Sequence, residues 1–174
     1  MRVKPNALQD EDGLLRIGVE VYGGPILATF ADRDLSLAGR VAVRNGEGIE
    51  MRLMRFAEPL LRLPNLAIHM NREVNENGLK FNKQTELPLV LDLAGDGPVE
   101  DGRFHTLLAA QLAVAPADIL SWELCVCDTQ PGTFWGAGQA FVANSQLDNL
   151  ASCHAGLSAL LGVESAATTN VCAF

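Results

Sequence analysis

The chain has 174 residues, of which 48% are apolar and 20% charged, with a formal net charge of −8. That length suits one ordinary domain or a small domain plus part of another, and the apolar fraction argues against disorder over most of the chain. The acidic balance argues against nonspecific nucleic-acid binding and docking on an anionic membrane, and no apolar run approaches the length of a membrane span.

The opening Met1-Arg2-Val3-Lys4-Pro5 lacks the apolar core of a signal peptide, so a cytoplasmic location is the expectation. Leu14 to Val21 reads as a strand that alternates from Arg16 onward and breaks at Gly23-Gly24-Pro25. Asp32-Arg33-Asp34 is too polar for a core and reads as a surface loop with a local ion pair. Gly39 to Arg44 and Ile49 to Phe56 form two strands joined by the turn Asn45-Gly46-Glu47-Gly48, a hairpin with strong turn chemistry.

Pro59 and Pro64 punctuate the next stretch, where Leu66 to Met70 fits a short strand or one helical turn. Asn71 to Gln84 is polar and loop-like. Phe104, Leu107, Leu108 and Leu112 have helical spacing, which predicts a helix over 101–114, capped by Asp101 and ended by Pro116. Ile119 to Val126 reads as a strand, followed by a loop from Asp128 to Ser145. A helix from about Asp148 to Gly162 comes next, and Asn170 to Phe174 resembles a buried strand of a parallel sheet. The fold class is therefore mixed α+β: hairpins and loops first, then a tail that reads strand, loop, helix, strand.

Four cysteines occur, and Cys125 and Cys127 share one face of their strand. No second Cys/His pair lies at zinc-site spacing, so reduced, mostly buried thiols are expected. The serine-hydrolase elbow, the Walker phosphate loop, the dinucleotide fingerprint and HExxH are all missing from the sequence. Of the three histidines, His105 reads as a surface or boundary residue and His154 as a packed one. His69 interrupts an apolar run beside Asn65, Asn71 and Arg72; a core histidine and a functional one both fit. Asp148 sits where a polar loop enters a helix. It could cap the helix through free N–H groups, or it could ligate a metal. Nothing local decides between the two.

The blocks "LRIGVEVYGGPI", "DRDLSLAGRV", "LPNLAIHMNREVN", "NKQTELP", "DTQP" and "LDNLASCHA", in this order and spacing, resemble the aspartyl aminopeptidase family (metallopeptidase family eighteen). Those proteins are cytoplasmic dinuclear-zinc exopeptidases. The resemblance implies that residues 1–11 are an edge of the peptidase domain and that residues 12–135 form an inserted β-rich oligomerisation domain. It further implies that residues 136–174 are part of the α/β zinc-peptidase domain.

In the family a His-Thr-Asp-Ser-Pro segment with a zinc-binding histidine precedes "RVKP", and a Glu-Glu pair follows the terminal strand. The resemblance thus makes this chain an internal fragment. Asp148 maps to the carboxylate that bridges two zinc ions in the intact enzyme. His69 maps to a histidine that reaches a neighbouring subunit's active site and contacts the substrate oxyanion in trans.

The implied chemistry is removal of N-terminal, acidic residues from peptides. Two zinc ions polarise the carbonyl and activate water while a glutamate takes the proton. The implied partners are a peptide substrate and further copies of the chain, with no nucleic acid and no membrane. A lone aspartate cannot hold a zinc pair, so the chain alone is expected to be inactive and to bind no stable Zn2+ pair. The alternative is a non-catalytic oligomerisation module. Two positions depart from the family, which usually has Trp-Phe at Phe30-Ala31 and Arg at Gln146.

Overall fold

The computed structural model describes residues 1–95, 102–164 and 167–174, the side chains at positions 7 and 9–11 excepted. The chain divides into two compact units, Met1–Gln130 and Pro131–Phe174.

The first unit is built on six strands: β1 (Arg2–Glu11), β2 (Leu14–Glu20), β3 (Leu35–Asn45), β4 (Gly48–Arg55), β5 (Leu89–Leu93) and β6 (Ile119–Asp128). They form one sheet in the order β4-β3-β6-β1-β2-β5. Every named pairing is antiparallel. The sheet is mostly antiparallel and the unit mixes strands with helix, as the sequence led one to expect.

Alternation decides which face is buried. In β2, Leu15, Ile17 and Val19 turn inward, and in β3 Leu35, Leu37, Val41 and Val43 do the same. The hairpin forms where the turn chemistry placed it. Asn45 pairs with Gly48, and Gly46 takes the positive φ of +59° that such a two-residue turn requires. The long helix α2 (Arg103–Leu112) covers the inner face with Phe104, Leu108 and Ala109; the much shorter α1 spans Val74–Asn77. The Phe104 ring meets the Trp122 ring edge-on at 5.1 Å, which locks α2 against β6.

Two details of α2 differ from expectation, whereas His105 sits at the boundary as expected. Its N-cap position is Gly102, and the expected cap Asp101 lies outside the described residues. The helix ends at Ala113 in the left-handed conformation, before Pro116, which instead opens a short 3-10 turn. His105 is half-buried, edge-on to Trp122 at 5.2 Å.

The second unit holds the hairpin β7 (Thr133–Trp135) and β8 (Phe141–Ala143), followed by α3 (Leu147–Leu161). The hairpin lies inside the stretch expected to be loop throughout; stacking of Trp135 on Phe141 at 4.8 Å holds it. Asn170 to Phe174 is not a buried strand. These residues are exposed and unpaired among the described residues, and Cys172 and Phe174 lie against Gly156 of α3. A parallel strand needs a partner, and among the described residues β7 and β8 pair only with each other.

The cysteines are free, as expected, but they are not buried. Cys125 and Cys172 are exposed, and Cys127 and Cys153 intermediate. In β6 it is Leu124 and Val126 that face the core, so the same alternation turns Cys125 and Cys127 outward. Burial still pushes the Cys127 thiol up, against the pull of Arg55, which keeps it from being a reactive thiolate.

Candidate functional site

His69 and Asp148 fall in different compact units. His69 is not a core histidine. It stands exposed in a turn, where the Met70 and Asn71 N–H groups donate to the Ala67 carbonyl at 2.8 and 3.3 Å. An exposed imidazole on a tight turn is free to meet something outside its own fold.

The base of that segment is held from a distance. Asp32 accepts the Asn65 N–H on its carboxylate at 3.0 Å, and its own N–H donates to the Leu63 carbonyl at 2.9 Å. Arg62 donates to the Asp32 carbonyl at 2.9 Å and pairs with the Asp34 carboxylate. Asp34 is tied onward, because both the N–H and the hydroxyl of Thr129 donate to its carbonyl, at 3.0 and 2.8 Å. Arg33 reaches the Asp128 carboxylate and donates to Gln130 Oε1 at 3.2 Å. Asp32 adopts a positive φ of 57°, which an Asp tolerates better than most residues. The result is an open depression of about 540 Å³ lined by residues 32–34 and 128–130.

The expected local ion pair at residues 32–34 is thus replaced by long-range pairs. In the sequence "DRD", "LPN" and "DTQP" stand as separate polar blocks. The signal that could have joined them is that each puts charge or amide groups beside a strand end, where loops converge.

Asp148 is exposed in the first turn of α3, and the N-cap position is Gln146, in the left-handed conformation. The start of α3 is irregular, and no side chain caps it at Gln146. Asp148 and Asn149 leave helical φ/ψ (ψ 108° and 19°), and the peptide between them is cis. The Cys153 thiol lies 3.7 Å from Asn149 Oδ1. His154, expected to pack, is exposed.

A zinc pair needs several convergent ligands. Among the described residues no group of three or more His, Cys, Asp or Glu side chains is gathered to hold a metal ion. Asp148 offers one carboxylate, so the residues present do not by themselves fit such a pair.

Known proteins give the context. The family model described as "Aminopeptidase I zinc metalloprotease (M18)" matches residues 1–173. A relative named "Probable M18 family aminopeptidase 2" in Azotobacter vinelandii is 49% identical over 166 residues, which cover 92% of this chain and 38% of the relative. Its namesake in Pseudomonas entomophila is 48% identical over 170 residues, 95% of this chain and 39% of the relative. The chain thus spans well under half the length of these relatives. Among solved structures, mApe1 of Chaetomium thermophilum superposes with a TM-score of 0.81 at 30% identity, over 97% of this chain and 40% of that one. A Saccharomyces mApe1 described as a dodecamer shares the fold at a TM-score of 0.69 and 23% identity, over 92% of this chain and 35% of that one.

Proposed function

The chain belongs to the aminopeptidase I zinc metalloprotease family (M18), and from that premise we propose that it is part of a cytoplasmic zinc aminopeptidase that removes N-terminal, acidic residues from peptides. The observation that carries this reading is the family match over residues 1–173. In the whole protein Asp148 would be one of the residues that hold the zinc, which would polarise the carbonyl and activate water. Its exposure at the irregular start of α3 supports that role.

His69 acts in trans, on the site of a neighbouring copy. Its exposure and the anchored base of its turn support this. Residues 12–135 form the inserted oligomerisation part, and residues 1–11 and 136–174 belong with the peptidase part. The chain assembles with further copies of itself.

A second reading is favoured by the lack of a gathered ligand set among the described residues. On that reading the 174-residue chain is an assembly module without chemistry of its own. Elemental analysis after extensive dialysis tests the proposal. Far less than two zinc per chain, with no release of N-terminal Asp or Glu from peptides, is the expected result. Two retained zinc ions with such release would overturn the fragment reading.

A further inference from the structure

The two edges of the six-stranded sheet are treated differently. On the β5 edge, the Arg62 N–H donates to the Val90 carbonyl at 3.0 Å and the Val90 N–H donates back at 2.8 Å, so a neighbouring segment caps the strand. The β2–β5 register also slips between Leu15 and Arg16, which bends that edge.

Among the described residues the β4 edge is covered only at its end, where Gln111 of α2 donates to the Arg55 carbonyl at 3.1 Å, and is open over residues 49–53. Its ladder with β3 runs in unbroken register from Ala38 opposite Arg55 to Asn45 opposite Gly48. Gly-Ile-Glu-Met-Arg-Leu-Met-Arg contains no proline and no lysine, the residues that commonly blunt an exposed edge.

Hydrogen bonding and side chains point the same way on this edge. The Phe56 N–H donates to the Leu37 carbonyl at 3.0 Å. Antiparallel alternation then turns the backbone groups of Glu50, Arg52 and Met54 toward β3 and those of Ile49, Met51 and Leu53 toward the open edge. The same three residues carry the exposed apolar side chains of the strand, with exposures of 70%, 54% and 85%.

The geometry points to a second copy of this chain as the occupant, paired antiparallel through β4 about a two-fold axis at Met51. In that register Met51 lies opposite Met51 of the second copy, and Ile49 lies opposite its Leu53. These are reciprocal backbone pairs with apolar contacts on one face. On the other face Glu50 lies opposite Arg52 of the second copy and Arg52 opposite its Glu50. The strand therefore complements its own charge. Within one chain Arg52 and Glu50 already pair at 2.9 Å, so joining two copies extends an existing charge pattern rather than opposing it. The two sheets become one continuous sheet, and the open edge disappears.

This surface deepens the proposal that the chain assembles with itself, and its test separates the two claims. Sedimentation of the 174-residue chain should show a dimer. Met51→Lys places two ammonium groups face to face on the axis and should raise the dimer Kd about tenfold or more, with the circular dichroism spectrum unchanged. Val142→Lys, on the exposed hairpin of the second unit, should leave the dimer intact.

The register has its own readout. With Cys125, Cys127, Cys153 and Cys172 replaced by serine, Met51→Cys should form a disulfide-linked dimer under mild oxidation. Ile49→Cys alone should not, whereas a mixture of Ile49→Cys and Leu53→Cys chains should. A monomeric wild-type chain overturns both self-assembly and this interface. A dimer that survives Met51→Lys, or Met51→Cys chains that link no better than Ile49→Cys chains, overturns the β4 interface alone.

Discussion

The carboxylate of Asp32 accepts the backbone N–H of Asn65 at 3.0 Å, across a sequence separation of 33. It ties the loop ahead of β3 to the base of the turn that carries His69. Arg62 adds a second tie by donating to the Asp32 carbonyl, also within the first unit. Among the described residues the histidine turn makes only short-range backbone bonds of its own beyond Asn65, so its placement depends on these anchors.

Substitutions at Asp32 separate the two properties of that residue. Asp32→Asn keeps an acceptor oxygen and tolerates the positive φ, and should fold with near wild-type stability. Asp32→Gly loses the acceptor but suits the backbone, and should cost about 0.5–1.5 kcal/mol. Asp32→Ala loses the acceptor and adds left-handed strain of roughly 1–2 kcal/mol, so it should be the least stable. Urea denaturation gives the order. Hydrogen exchange should quicken at residues 65–71 in the Gly and Ala variants and stay slow in the Asn variant.

Gly39 lies directly against the backbone of β6. A Cβ there would meet the Glu123 carbonyl oxygen at 2.0 Å, at a φ of 155°. The obstacle is backbone of β6 and cannot rotate away. Gly39→Ala should therefore destabilise by more than the ~1–3 kcal/mol typical of overpacking, and should yield mostly insoluble chain. A soluble variant with an unchanged melting temperature would show that β3 and β6 do not pair in this register.

Glu123 should give the chain part of its acid sensitivity. Its hydrogen bond to Arg40, helped by the Arg40 charge, holds its carboxyl below the ordinary 4.5. Because the folded value is depressed, the stabilisation is full above the unfolded value and is lost as pH falls through the folded one. Melting temperature should drop as pH is lowered below about 4.5. Glu123→Gln should start lower at neutral pH and show a shallower drop. Glu50, lowered chiefly by its hydrogen bond to Arg52, adds to the same window.

His69→Ala in the whole protein should lower kcat by ~10²–10³, the usual loss for one transition-state donor, with zinc content and melting temperature nearly unchanged. His69 is exposed, so little packing is lost. Mixing inactive His69→Ala and Asp148→Asn proteins under conditions of subunit exchange should restore part of the activity. Confirmed exchange without recovery would end the trans assignment.

Much of the first unit was legible because its signals are local. Asn45-Gly46-Glu47-Gly48 announces its turn, and Phe104, Leu107, Leu108 and Leu112 announce a helix face. What stayed hidden depends on partners distant in sequence. Arg62 and Asp34, or Arg33 and Asp128, look like solvated surface until the fold brings them together. Alternation in β6 could have told that Cys125 and Cys127 face outward, but cysteine's usual burial pulled the reading the other way. Asn170 to Phe174 misled for a related reason: an apolar run shows that something wants cover, not what covers it. The family resemblance names the two candidate residues, and nothing in the sequence tells their exposure.

The position of β6 governs how such a sheet can be made. It is the last strand of the first unit to be synthesised, yet it lies between β3 and β1. The β1–β2 and β3–β4 hairpins leave the ribosome early, each able to pair locally, with nothing to join them. Arg2 must wait for Cys125 before the seam between the half-sheets can close. Closure over so long a stretch of chain is slow compared with forming a hairpin. Until β6 arrives the two half-sheets cannot be joined, so the sheet of the first unit closes last at its middle.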